Sequence, residues 1–429
     1  MNDTNTTLQR SLTLFDVIAL GINGVIGSGI FLLPGLMAEK IGPATLLVVL
    51  FGGFLCFLIA LCFAETGSYF SGTGGPYLYA RSAFGNFVGF EVGWMTWCVR
   101  VISWAALANA FAIKLIPFLP TALQSNSWLS PIIVTLIIVG LTIPNIFGAQ
   151  FGAKLSSVFT AAKLIPIILF IAVGIFYIDT SKFTPFAPNG YSQFGESTVT
   201  LLYAYVGFEV LAVPAGEMKN PTRAIPIALL TVLLLCSFVY FLIMAVTFGT
   251  LENVAGSANA VEDASRVFMG PMGGTLIAVG IAVSIFGVNA GSALITPRCL
   301  YALAENKQMP HVFAKLHPKY KTPIVAIIVS AVISLALGLS GSFKQLAVIS
   351  VVARFSQYIP TCLAIFVLRK RQNSDGFVLP GGMLIPTAAL ALSIFILAQA
   401  EAKQLIAGLV AILIGVPVYF FSKKQTSPN

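Results

Sequence analysis

Charge is scarce in this chain. Only 9% of its 429 residues are Asp, Glu, Lys or Arg, against about 25% in a soluble domain. No polar stretch is long enough to build a soluble domain of its own. Histidine is nearly missing: His311 and His317 share one polar loop and have no other metal ligands beside them. The six cysteines, Cys56, Cys62, Cys98, Cys236, Cys299 and Cys362, form no C-x-x-C pair. They lie in or at the ends of apolar segments, where cysteine serves as a small buried hydrophobe. The chain also lacks H-E-x-x-H, G-x-S-x-G and G-x-x-x-x-G-K-[ST]. The parts for metal, serine or nucleotide chemistry are therefore absent, and neither an enzyme, a metal nor a cofactor is expected.

Apolar residues are abundant instead, at 57% of the chain. They gather in twelve runs: 14–38, 43–69, 87–115, 129–147, 154–178, 194–216, 224–248, 272–297, 323–339, 344–368, 378–399 and 404–421. Most are about 20 residues or longer, enough to cross a hydrocarbon core as a helix. The expected architecture is an all-α polytopic membrane protein made of one membrane domain, its environment a lipid bilayer. The first run is too long for the h-region of a cleaved signal peptide and lacks an A-x-A-like exit. The tail before it, "MNDTNTTLQRS", is expected to be disordered.

The net charge of +9 is a topology signal. With the N-terminus inside, fifteen Lys and Arg fall on the inner side and six on the outer. The positive-inside rule then puts both termini in the cytoplasm, and no nucleic-acid partner is implied.

Residues 24–35, "GVIGSGIFLLPG", interrupt the first run with Gly24, Gly27, Gly29, Pro34 and Gly35. Glycine and proline disfavour a helix interior. Run 6 carries a similar break, "YAYVGFEVLAVPAGE": Gly27 precedes Pro34 by seven residues, and Gly207 precedes Pro214 by seven. Two matching breaks, at the openings of the first and second sets of five runs, fit an inverted repeat whose first helices are discontinuous. Small residues also permit close helix packing, so spacing alone leaves both readings open. Physical chemistry favours a site. Unwound backbone at membrane depth is tolerated only where protein buries it or a cavity borders it. Amides freed at Gly27-Ser28-Gly29 suit a carboxylate, and carbonyls freed beside them suit an ammonium group. The simplest ligand with both ends is an α-amino acid.

Five segments in order carry a wider resemblance. They are "GVIGSGIF", "AETGSYFSGTGGPYLYARSAFGNFVGFEVGW", "YAYVGFE" with "GEMKNPTRAIPIAL", "TPRCLYALAENKQMPHVFAKLHPKYKTP" and "ARFSQYIPTCLAIFVLRKR". The chain resembles permeases of the amino acid–polyamine–organocation (APC) superfamily across nearly its whole length. The resemblance implies the leucine-transporter fold: two inverted five-helix repeats with helices 1 and 6 broken, plus two C-terminal helices. Residues 14–178 would form the first repeat and 194–368 the second. Residues 378–421 would form helices 11 and 12, and 1–13 and 422–429 the cytoplasmic tails.

The resemblance also implies site residues. Gly27, Ser28 and Gly29 would bind the substrate carboxylate, and the carbonyls of Val25, Tyr203, Ala204 and Val206 the α-amino group, with Ile26 in the same unwound stretch. Tyr203 stands where many members carry an aromatic gate. Glu209 faces either the side-chain pocket or a polar network, and the network is favoured. Lys163, in "FTAAKLIPI", matches the helix 5 lysine that replaces a sodium ion of sodium-coupled relatives. Its expected neighbours are the helix 1 break and a helix 8 hydroxyl, Ser292 first and Ser284 second.

Three basic residues lie deep inside the runs, away from their ends: Lys163, Arg100 and Arg354. Charges within the membrane are costly and are functional candidates by default. Lys163 sits about 14 Å into its helix, a long reach to water. Arg354 is expected in a structural or gating network with Glu65, Glu91 or Glu209. Arg100 has two readings: it braces helix 3 against a buried carboxylate, or it faces the pocket and attracts a substrate oxygen. Thr96, Trp97, Ser103 and Trp104 share its helix face and offer a cation–π setting. Trp94, Trp97 and Trp104 have a somewhat better chance of touching substrate than other aromatics.

The expected function is a sodium-independent secondary transporter of amino acids in the plasma or inner membrane. Alternating access would be driven by proton symport or substrate exchange, with protons as a further partner. A polyamine or other amine carrier of the same fold, or a transporter-like amino acid sensor, is the alternative. The particular cargo and the oligomeric state are not legible.

Overall fold

In the computed structural model, residues 10–257, 259–340, 350, 352–371 and 376–426 are described. The tail 1–9 and residues 344–349, which open run 10, lie outside the described residues.

The described chain is helical almost throughout. Thr13 caps the first helix, α1 (Leu14–Val25), in a capping box: its hydroxyl accepts from the Asp16 N–H at 3.3 Å, and Asp16 accepts from the Thr13 N–H at 2.9 Å. The backbone then unwinds over 26–28 and resumes as α2 (Gly29–Leu32) and α3 (Pro34–Ile41). Proline sits at the first position of α3, where its missing N–H costs little.

Next come α4 (Thr45–Ser68), α5 (Pro76–Phe84), α6 (Asn86–Leu115), the short α7 (Thr121–Gln124), α8 (Leu129–Ile146) and α9 (Ala149–Gly174). After the loop that follows, α10 (Phe194–Tyr205) begins the second broken segment. It stops at Val206, and Gly207 adopts φ +123°, in the region that favours glycine. The chain continues through two 3₁₀ turns, Phe208–Ala212 and Ala215–Glu217, and no α-helix resumes before α11 (Pro221–Thr250). The remaining helices are α12 (Ala260–Glu305), α13 (Ile324–Ser340), α14 (Phe355–Arg371), α15 (Leu384–Leu397) and α16 (Ala402–Thr426).

Eight segments among the described residues are helical, long and apolar enough to cross a membrane, and α13 and α15 are shorter apolar helices. The expected break in each of runs 1 and 6 is present. Run 8 differs from expectation: α12 begins at Ala260, twelve residues early, and bends at Gly270, φ +68°. Its first turns carry Glu262, Asp263 and Arg266, so hydropathy alone misses them. Glu262 there pairs with Lys114 at 3.1 Å.

The core lies where α1, α4, α6, α10, α11 and α12 pack together: α4 runs along α11, and both α6 and α9 run along α12. The periphery is apolar too. Ile132, Leu136, Val139 and Ile143 on α8, and Ile406, Leu409 and Leu413 on α16, are exposed. Residues at three- and four-residue spacing form one face, here a lipid-facing one. At the cytoplasmic end expected for helix 6, Leu12 bridges Met218. Ser11 and Leu12 donate to the Glu217 carbonyl, and Lys219 donates to that of Leu12.

Candidate functional site

The two breaks face one another across a cavity of about 50 Å³. Gly27, Ser28 and Gly29 line one side; Tyr203, Val206 and Gly207 line another; Arg100, Ser103, Ser292 and Arg354 complete its polar wall. Val25 lines it too, whereas Ile26, Ala204, Glu209 and Lys163 stand behind.

Glycine brings the breaks into contact. A Cβ on Gly29 would lie 2.8 Å from the Ala204 Cα, and one on Gly207 would lie 2.6 Å from the Gly24 carbonyl oxygen. These two glycines therefore serve close packing. At Gly27 a Cβ would meet the Val288 side chain at 3.6 Å and the Val25 carbonyl oxygen at 3.9 Å, both ordinary contacts, so packing does not require that glycine.

The N–H groups of Ser28, Gly29 and Ile30 have no acceptor among the described backbone carbonyls. They are the orphan donors of a helix start. The Ser28 hydroxyl lies 3.3 Å from that of Tyr203 and links the two broken segments.

Two of the expected carbonyls already have a hydroxyl partner. Those of Val25 and Ala204, expected to receive an amino group, face the buried hydroxyl of Tyr240 at 2.7 Å and 2.8 Å. Sequence reasoning missed Tyr240. It is an ordinary aromatic in an apolar run, and only the tertiary fold brings it to the breaks.

Lys163 is fully buried, and its Nζ donates to the carbonyls of Asn23 at 3.0 Å and Ile26 at 2.6 Å. These are carbonyls at the unwound end of α1. Ser284 donates to the same Ile26 carbonyl at 3.0 Å. The first-choice neighbour, Ser292, instead lines the cavity two helical turns further along α12. The correction is one of level along the helix axis: both serines lie on the inward side of α12, and sequence does not say which is level with Lys163.

Glu209 belongs to a network. One of its oxygens accepts from Arg100 Nη2 at 2.7 Å and from Arg354 Nη1. The other accepts from the Gly207 N–H at 2.9 Å and the Tyr358 hydroxyl at 3.2 Å. Arg354 Nη2 donates to the Ser103 hydroxyl at 2.8 Å. Arg100 thus pairs with a buried carboxylate and also lines the cavity. The indole cage expected around it is absent among the described residues. The Trp97 N–H donates to Ser330 and the Trp94 N–H to the Ala411 carbonyl, and Trp104 packs with α8 and α13. None of the three tryptophans lines the cavity.

This architecture, with apolar membrane-length helices around two helix breaks, is that of an all-α polytopic membrane transporter and not of an enzyme. The family profile described as amino acid permease matches residues 12–421, and the chain belongs to that family, within the APC superfamily. It is 32% identical to the serine/threonine exchanger SteT of Bacillus subtilis (strain 168), over 99% of each chain. It is 26% identical to the branched-chain amino acid permease BcaP of the same organism, over 99% of this chain and 95% of that one. Cationic amino acid transporter 4 of Mus musculus is 30% identical over 86% of this chain and 61% of its own.

Proposed function

We propose that the protein is a secondary active carrier that moves amino acids by alternating access, without sodium, through proton symport or substrate exchange. The observation that carries this reading is the Lys163 ammonium seated on the Asn23 and Ile26 carbonyls. Carbonyls at an unwound helix end attract a cation. A covalently attached one leaves sodium nothing to do there.

In this reading the orphan N–H groups and the hydroxyl at Ser28 and Gly29 receive the substrate carboxylate. The α-amino group is drawn to the carbonyl ends of the two breaks, at Val25, Tyr203, Ala204 and Val206. Residues 14–178 and 194–368 are the two repeats that move against each other, and 378–421 flank them. The charge bias, fifteen basic residues against six, supports cytoplasmic termini in a cell membrane. The names of the relatives, a serine/threonine exchanger and a branched-chain amino acid permease among them, support amino acids as cargo.

Proteoliposomes test the reading. A carrier exchanges labelled amino acid at a saturable rate, whereas a sensor of the same fold shows no counterflow. Replacing sodium by choline at fixed pH should leave the initial rate unchanged. A steep, saturable rise with sodium would refute the role given to Lys163.

A further inference from the structure

Among the described residues the cavity wall carries two guanidinium groups, Arg100 and Arg354, and no carboxylate. Glu209 stands behind them and neutralises one. Its four bonds, from Arg100, Arg354, Gly207 and Tyr358, use the acceptor sites a carboxylate offers. The arginines are far from satisfied. Each has five N–H donors, yet Arg100 makes one bond to Glu209, and Arg354 makes two, to Glu209 and Ser103. Arg354 is buried, at 2% exposure, and its Nε has no hydrogen-bond partner. Lys163 stands behind the helix 1 break, and its bonds go to carbonyls and to no carboxylate among the described residues.

A net positive centre at membrane depth is costly until an anion joins it. A zwitterionic amino acid brings no net charge to it, whereas one with a side-chain carboxylate brings one negative charge. The fixed forks of two arginines are suited to carboxylate oxygens.

We propose that Arg100 and Arg354 form the side-chain subsite of the carrier and select acidic α-amino acids, with a carboxylate beyond the α-carbon, as cargo. This rests on the carrier reading above. The same charge rejects cationic side chains, which would add a third positive group to a wall that already has two.

The test compares near-isosteric cargo on the wild-type protein: aspartate against asparagine, and glutamate against glutamine, with serine and lysine as references. Affinities are read by thermal shift in detergent and by exchange in proteoliposomes. At least one acid should bind about tenfold or more tightly than its amide, and lysine should neither bind nor exchange. In Arg354→Gln and, separately, Arg100→Gln, that preference should collapse while any serine binding changes far less. If either variant fails to fold, the wild-type comparison still decides. Amides equal to or better than their acids, with exchange intact, would overturn the acidic subsite and leave the carrier standing. An absence of binding and exchange across the whole panel would overturn both.

Discussion

Two buried carboxylates in this protein are built from the same parts and differ in one. Glu65 accepts from a tyrosine, Tyr69 at 2.8 Å, from a backbone N–H, Leu379 at 2.9 Å, and from one arginine. Arg369 meets it as a fork, Nε at 2.5 Å and Nη2 at 2.6 Å. Glu209 also accepts from a tyrosine, Tyr358, and a backbone N–H, Gly207, but from two arginines that each use one nitrogen. The first cluster is electrically closed, charge for charge, and lies away from the cavity. The second is over-supplied with donors and lies at the cavity wall. A carboxylate matched by one bidentate arginine braces a fold. A carboxylate shared between two arginines holds them in place while leaving N–H groups directed elsewhere.

Removing each carboxylate gives the largest expected contrast. Glu209→Gln leaves two arginines, at 7% and 3% side-chain exposure, facing each other without a counter-charge. The expected loss is about 3–5 kcal/mol, read as a fall in unfolding temperature or denaturant midpoint. Glu65→Gln should cost about 1–3 kcal/mol, because Arg369, at 15% side-chain exposure, retains access to water. Equal losses would break the contrast.

Arginine-to-lysine changes sharpen it at a smaller scale. Arg369→Lys gives up a two-bond fork and should lose about 1–2 kcal/mol with the order of preferred substrates unchanged. Arg100→Lys keeps a single-nitrogen bond within reach, so its loss of stability should be smaller, about 1 kcal/mol or less, while substrate ranking shifts. The smallest effects are expected from the hydroxyls. Tyr69→Phe and Tyr358→Phe should each cost about 1 kcal/mol, but only Tyr358→Phe should move the KM for exchange. A KM shift in Tyr69→Phe would show that the brace also touches transport.

The breaks were legible because glycine and proline mark them locally: "GVIGSGIF" and "YAYVGFE" unwind within a residue or two of the expected positions. Lys163 beside the helix 1 break was legible through the family resemblance, and a lysine mid-helix needs partners wherever it points. That Arg354 meets Glu209, and neither Glu65 nor Glu91, was not legible. The pair is separated by 145 residues, and each candidate lay on a helix of unknown rotation. Ser292 and Ser284 were ranked in the wrong order as neighbours of Lys163 because their level along α12 relative to that lysine was unknown. The charged opening of α12 was missed because hydropathy reads only the lipid-facing part of a helix. Nothing local distinguished Tyr240 from the other tyrosines of the chain.

The hydroxyl of Tyr240 lies between one carbonyl of each broken segment, Val25 and Ala204. A phenol has a single proton to give. At any instant it binds α1 or α10, and the other oxygen waits. The exchange needs only rotation about one C–O bond, with no heavy atom moving. The junction between the two breaks is therefore secured by one proton with two nearly equivalent acceptors, at 2.7 Å and 2.8 Å.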